Sequence, residues 1–179
     1  MVIAIMTVCL NMNAQKLLVD KVESNGDRLM QTKYTTIYSK LLSGGAISLI
    51  CSTSAVDTLY MISLMLNEGK QQIDEGRKLL LKLEDGSILT LVNIKEIGVG
   101  DYEIRTVYHS TEYLTYPAYP VTKDELFRII NGNVVKIRIE TNLELLDRTI
   151  RETISENLSE DYNLINKKLK EKKTIYSDF

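Results

Sequence analysis

The chain has 179 residues, 44% hydrophobic and 26% charged, with 22 Lys and Arg against 24 Asp and Glu and a net charge of −2 at pH 7. Nucleic acid ordinarily demands a concentrated basic face, so this balance argues against it as a partner. With nine glycines and two prolines there is little room for a disordered linker, and a chain of this length buries roughly 70% of its unfolded surface as one domain.

The opening MVIAIMTVCLNMNAQ carries no charge, and Val2 to Leu10 is a largely apolar run. A bilayer span takes about 20 residues, so the run is too short to cross a membrane and fits the apolar stretch of a secretory signal ending near Ala14. Residues 1–14 are expected to be a signal peptide and residues 15–179 a single domain, periplasmic or extracellular, with no transmembrane span in the mature chain. Met12 and the lack of Lys or Arg after Met1 depart from the usual signal pattern, and a buried N-terminal strand is the competing reading. Cleavage would remove Cys9 and leave Cys51 alone. Cys51 lies in the apolar run AISLICSTS, where a free cysteine is expected to be buried rather than nucleophilic.

From Lys16 to about Gly100 the pattern is of strands and turns. LLVDKVE and RLMQTKYTTIYSK flank Asn25-Gly26, a turn pair that tolerates positive φ. GGAISLICS and DTLYMISLML form a second strand pair joined by the short TSAV. In RKLLLKLEDGSILTLVNI, a three-residue Glu84-Asp85-Gly86 loop sets Leu81 opposite Leu89 and Leu79 opposite Leu91, which keeps the apolar side chains on one face. GVGD reads as a turn, and YEIRTVYHSTEYLTY as a long β-rich stretch that Pro117 and Pro120 end, since neither can donate to a ladder.

Thr122 and Glu125 then form a T-x-x-E capping box, with Val121 and Leu126 at the positions of a hydrophobic staple. Leu126, Phe127, Ile129 and Ile130 give the helix its apolar face, and Asn131-Gly132 is the expected left-handed stop. NVVKIRIET alternates, with Val135, Ile137 and Ile139 on one side and Lys136, Arg138 and Glu140 on the other. Leu146, Ile150, Ile154, Leu158, Tyr162, Ile165 and Leu169 predict an amphipathic helix or two segments in tandem. Glu152, Glu156, Glu160 and Asp161 precede a run of lysines, an order that complements the helix dipole. The sum is α+β: a mainly antiparallel sheet or small sandwich of about eight strands, a short capped helix and a C-terminal amphipathic helix.

The motifs of common chemistries are missing. His109 is the single histidine, no H-x-x-x-H or C-x-x-C pair offers zinc ligands, and GVGD has neither the Lys-Ser/Thr of a phosphate loop nor the third glycine of a dinucleotide fingerprint. No G-x-S-x-G elbow marks a nucleophile. Neither a cofactor nor a metal is expected. Tyrosine is the unusual feature: ten Tyr against two Phe and no Trp. Tyr113, Tyr116 and Tyr119 are candidates for a binding edge, because tyrosine gives large contact area at low entropic cost; packing between strand and helix is the competing role.

The run KLLLKLEDGSILTL with YPVTKDELFRIINGNVVKIRIET resembles small exported domains of Bacteroidetes-type bacteria, a resemblance covering roughly the central third of the chain. It implies location and fold and carries no activity. The expected function is that of an exported module binding a protein, peptide or glycan. The alternative is a hydrolase whose site is assembled around His109 from scattered Ser and acidic residues.

Overall fold

The computed structural model describes residues 16–22, 24, 26–40, 43–94, 102–107, 110–150 and 154–177; for residues 40, 102–107, 110–112 and 172–177 it describes the backbone alone. The expected signal segment 1–14, Asn25, the GVGD turn and His109 lie outside the described residues.

In chain order, β1 (Leu17–Val22) and β2 (Arg28–Thr32) form the first hairpin, with Gly26 at φ +88°. β3 (Thr35–Lys40) precedes the longest hairpin, β4 (Ser43–Thr53) with β5 (Thr58–Asn67), paired from Gly44 opposite Asn67 to Thr53 opposite Thr58. β6 (Lys78–Leu83) pairs with β7 (Ile88–Val92), and β8 (Tyr102–Val107) with β9 (Ser110–Thr115). β10 (Ala118–Val121), α1 (Lys123–Gly132), β11 (Val134–Glu140), β12 (Leu145–Thr149) and α2 (Ile154–Ser177) follow.

All pairings are antiparallel, in an eight-stranded sheet ordered β1-β2-β4-β5-β9-β8, with β3 also on β4 and β10 also on β5, and a four-stranded sheet ordered β12-β11-β6-β7. The fold is α+β, as its pattern predicts. It has more than the expected strands, about eight, because the long β-rich stretches are interrupted. Lys33-Tyr34 separate β2 from β3, which share one edge of β4, and Tyr116-Pro117 separate β9 from β10, which share one edge of β5. Pro120 does not end a strand: it pairs with Met61 within β10, where an edge position tolerates the missing donor.

The Asp85-Gly86 hairpin has the expected register. Leu79 faces Leu91, Leu81 faces Leu89, Gly86 takes φ +87°, and Leu83 N–H donates to Ser87 O at 2.9 Å. The capping box also forms: Glu125 N–H donates to Thr122 Oγ1 at 3.2 Å and Thr122 N–H to Glu125 Oε2 at 2.9 Å. The helix stop is displaced by one residue. Asn133, not Asn131-Gly132, takes the positive φ (51°, with ψ 100°), and Gly132 serves close packing instead, since a Cβ there would meet Leu83 Cδ1 at 2.7 Å.

Two other expectations change. A register shift between Val134 and Lys136 puts Val134 in the core and leaves Val135 half-buried, while Ile137 and Ile139 point inward as expected. Leu146 and Ile150 do not belong to the helical stripe; Leu146 lies on β12, and α2 begins at Ile154. α2 then buries Ile154, Leu158 and Ile165, with the Tyr162 ring 5.8 Å from Tyr60 and 5.1 Å from Phe127.

Polar groups fasten the layers. Arg28 donates to both oxygens of Asp20 at 2.6 Å and reaches the Lys168 carbonyl of α2 at 3.3 Å. Asn93 is buried at the end of β7: its amide donates to the carbonyls of Ile73 and Asp74 and its Oδ1 accepts from Ala118 N–H at 2.9 Å, tying the smaller sheet to β10 of the larger. At the other end of that interface the Arg148 guanidinium of β12 forks onto Glu68 (3.3 and 2.6 Å), while Tyr38 donates to Glu68 Oε1 at 2.8 Å. Burial, and after it the shared Glu68 carboxylate, push the Tyr38 hydroxyl's pKa up. Asp161, one of the acids that precede the lysine run, is fully buried on the inner side of α2.

Candidate interaction face

β4 and β5 supply the central face of the larger sheet. One row, Ile47, Leu49, Cys51 with Tyr60, Ile62, Leu64, is buried toward α2 and the smaller sheet. Alternation sends Ile50, Ser48 and Ala46 with Met61, Ser63 and Met65 to the opposite side. In a sheet with one covered face those outward positions are normally polar. Here Ile50, Met61 and Met65 are apolar and only half-buried, and Leu29 and Leu59 extend the row at its end.

Two tyrosines complete this face from opposite sides. Tyr34, in the break between β2 and β3, sets its hydroxyl 2.8 Å from Ser63 Oγ. Tyr116, in the break between β9 and β10, brings its ring to 6.2 Å from that of Tyr34 at an interplanar angle of 53°. Ser48 lies directly opposite Ser63 and accepts from Gln31 Nε2 at 3.1 Å, so both hydroxyls have partners although both are buried. The interrupted strands have a local purpose: a residue freed from the ladder can fold its ring over the neighbouring strands.

The three tyrosines singled out in the sequence do not share one edge. Tyr116 belongs to the face just described. Tyr113, half-buried, is on the opposite side of β9 by alternation, and its backbone N–H donates to Gly69 O at 2.7 Å. Tyr119 is 0% exposed, paired with Ile62 on the inner side of β10, so no external partner reaches it. Its hydroxyl, without a hydrogen-bond partner among the described residues, is held protonated by burial, its pKa well above the ordinary phenol value. Sequence reasoning missed Tyr34, Gln31 and the Ser48–Ser63 pair. The available signal was period two along AISLIC and LYMISLM, whose alternate residues are apolar on both faces.

Other reactive groups are set up differently. Cys51 is buried as expected, and desolvation pushes its thiol up to about 11, which makes it a poor nucleophile at neutral pH. Among the described residues no three His, Cys, Asp or Glu side chains are grouped to hold a metal ion, and no helix is long and apolar enough to cross a membrane. The hydrolase alternative rests on His109, which is outside the described residues. Comparison of the chain with protein families, with curated proteins and with solved structures finds no match.

Proposed function

We propose that the protein is an exported interaction module that binds an apolar segment of a partner protein through the outer face of its larger sheet. The observation that carries this reading is the row of half-buried apolar and aromatic side chains Ile50, Met61, Met65, Tyr34 and Tyr116 on the outer face of the larger sheet, where alternation would ordinarily place polar residues. A contiguous apolar surface of this kind is costly to leave in water and marks contact sites. Methionines adapt to the shape of a partner, and tyrosines supply area with little entropy to lose. The row itself holds no charged side chain, which favours an apolar protein segment over a charged ligand. The export component rests on the apolar run from Val2 to Leu10.

The test is Tyr34→Ala combined with Tyr116→Ala, with cross-linking through a photoreactive residue at Met65 in native envelope fractions. The double variant, checked for folding by circular dichroism, is expected to lose a discrete protein adduct that the parent forms. An adduct unchanged in the variant, or one formed with glycan alone, would overturn the reading.

A further inference from the structure

The outer side of the smaller sheet has a different character. Its register lines up three rows across β12, β11, β6 and β7: Thr149, Lys136, Lys82, Ile88; then Asp147, Arg138, Leu80, Thr90; then Leu145, Glu140, Lys78, Val92. Four cations against two carboxylates leave this face positive, within a chain whose net charge is −2. Glu140 is engaged with Arg77 at 3.2 Å and with Lys78 N–H at 3.2 Å. Asp147 serves both Lys136 (2.8 Å) and Arg138 (2.6 and 2.8 Å), and these two cations hold its carboxyl well below the usual range.

Lys82 has no carboxylate partner among the described residues, and it stands directly opposite Lys136 on the neighbouring strand. Like charges in that position repel, so the sheet gains nothing from the pair. Of the two lysines Asp147 compensates Lys136 alone, and the repulsion is left unrelieved at Lys82, a local conflict of the kind that an external ligand relieves. The shallow cleft beside it, about 230 Å³, is lined by Leu80, Lys82, Ile88, Lys136, Ile137 and Arg138. Ile88 is 57% exposed and directly opposite Lys82. The cleft thus joins an anion position to an apolar one a single side chain away.

We propose that this face docks an acidic segment of a partner protein, a carboxylate seated between Lys82 and Lys136 and a neighbouring aliphatic side chain on Leu80 and Ile88. The occupant follows from charge complementarity. A carboxylate between the two ammonium groups gives Lys82 a partner and Lys136 a second one beside Asp147, and the exposed isoleucine beside them suits a side chain with carbon to bury rather than a bare inorganic ion.

The experiment titrates the full chain with a short blocked peptide of alternating glutamate and leucine, read by amide shifts in NMR. Shifts are expected to centre on Leu80, Lys82, Ile88 and Lys136 and to weaken as salt is raised. Lys82→Glu should lower affinity about tenfold or more while leaving the fold intact, because it turns a repelling pair into an attracting one. Lys82→Gln should give a smaller loss, and a glutamine-leucine peptide should not bind. Shifts centred elsewhere, equal affinity in Lys82→Glu, or no binding of the acidic peptide would each overturn the proposal. So would binding confined to inorganic phosphate or a sulfated polysaccharide.

Discussion

The Tyr38 ring occupies the space above Gly45, so closely that a Cβ at position 45 would meet its Cε1 at 2.4 Å. Tyr38 has nowhere else to go without loss, since its hydroxyl is bonded to Glu68 and the Arg148 guanidinium stands 5.5 Å from its ring centre. Gly45→Ala is expected to destabilise by about 2–3 kcal/mol through this clash. Tyr38→Phe removes only the hydrogen bond and should cost about 1 kcal/mol. Glu68→Ala strands a largely buried Arg148 and should cost about 3–5 kcal/mol. Urea denaturation of the three variants checks the order, and a Gly45→Ala as stable as the parent refutes the contact.

Asp161 gives stability a pH dependence. Burial raises its carboxyl from 3.8 to about 7; the Thr32 hydroxyl and Leu49 amide act to lower it, but Leu49 N–H is already given to Thr32 Oγ1 at 2.9 Å, and neither carboxyl oxygen has a hydrogen-bond partner among the described residues. Between those two pH values the folded chain holds a proton that the unfolded chain has released, so stability falls as pH rises through that window and levels off above it. The size of the fall is on the order of 4 kcal/mol. Asp161→Asn should flatten this part of the profile and be more stable than the parent at alkaline pH. A parent profile flat from acid to neutral pH, measured by denaturation, contradicts the burial of a titrating carboxyl.

The Asn93 side chain connects the sheets through three hydrogen bonds, and Asn93→Ala leaves the Ala118 amide and the Ile73 and Asp74 carbonyls without that partner. The expected cost is about 2–4 kcal/mol, the sum of unmet buried groups and a small cavity. Hydrogen exchange should show Ala118 N–H exchanging faster in the variant. Unchanged protection there would mean that the hydrogen bond does not hold the two sheets together.

At α1 the two ends separate experimentally. Thr122→Ala removes the cap and should cost about 1 kcal/mol, with fraying confined to the first turn. Gly132→Ala acts on packing: Leu83 must shift from a contact of 2.7 Å, so the loss should appear in side-chain shifts of Leu83 rather than in the helix start. Methyl NMR of Leu83 decides between them.

The parts of the fold legible in the sequence are those decided by neighbours within a few residues. Gly86 and the leucines around it fix a hairpin register, and Thr122 with Glu125 fixes a helix start, because both are closed locally. The breaks at Lys33-Tyr34 and Tyr116-Pro117 are less legible: only one contains a proline, and Tyr34 is placed by Ser63, far along the chain. Leu146 and Ile150 fall at helical spacing from Ile154 yet belong to a strand and its end, where pairing with Ile139 overrides the period. Asp161 follows Leu158 by three residues and so shares its side of the helix, a position that its charge obscured.

The order of the strands imposes a schedule on synthesis. β4 and β5 leave the ribosome as a hairpin with apolar residues on both faces, but the strand that shields the Tyr60–Ser63 edge, β10, is made only after the whole β6–β7 hairpin of the other sheet. A nascent chain ending at Val92 has that edge of β5 unpaired, with Met61 at its rim, and this is a template for joining a second nascent copy. Pro120 sits where the edge is finally closed, and its missing N–H leaves one fewer donor for any further strand to extend the sheet.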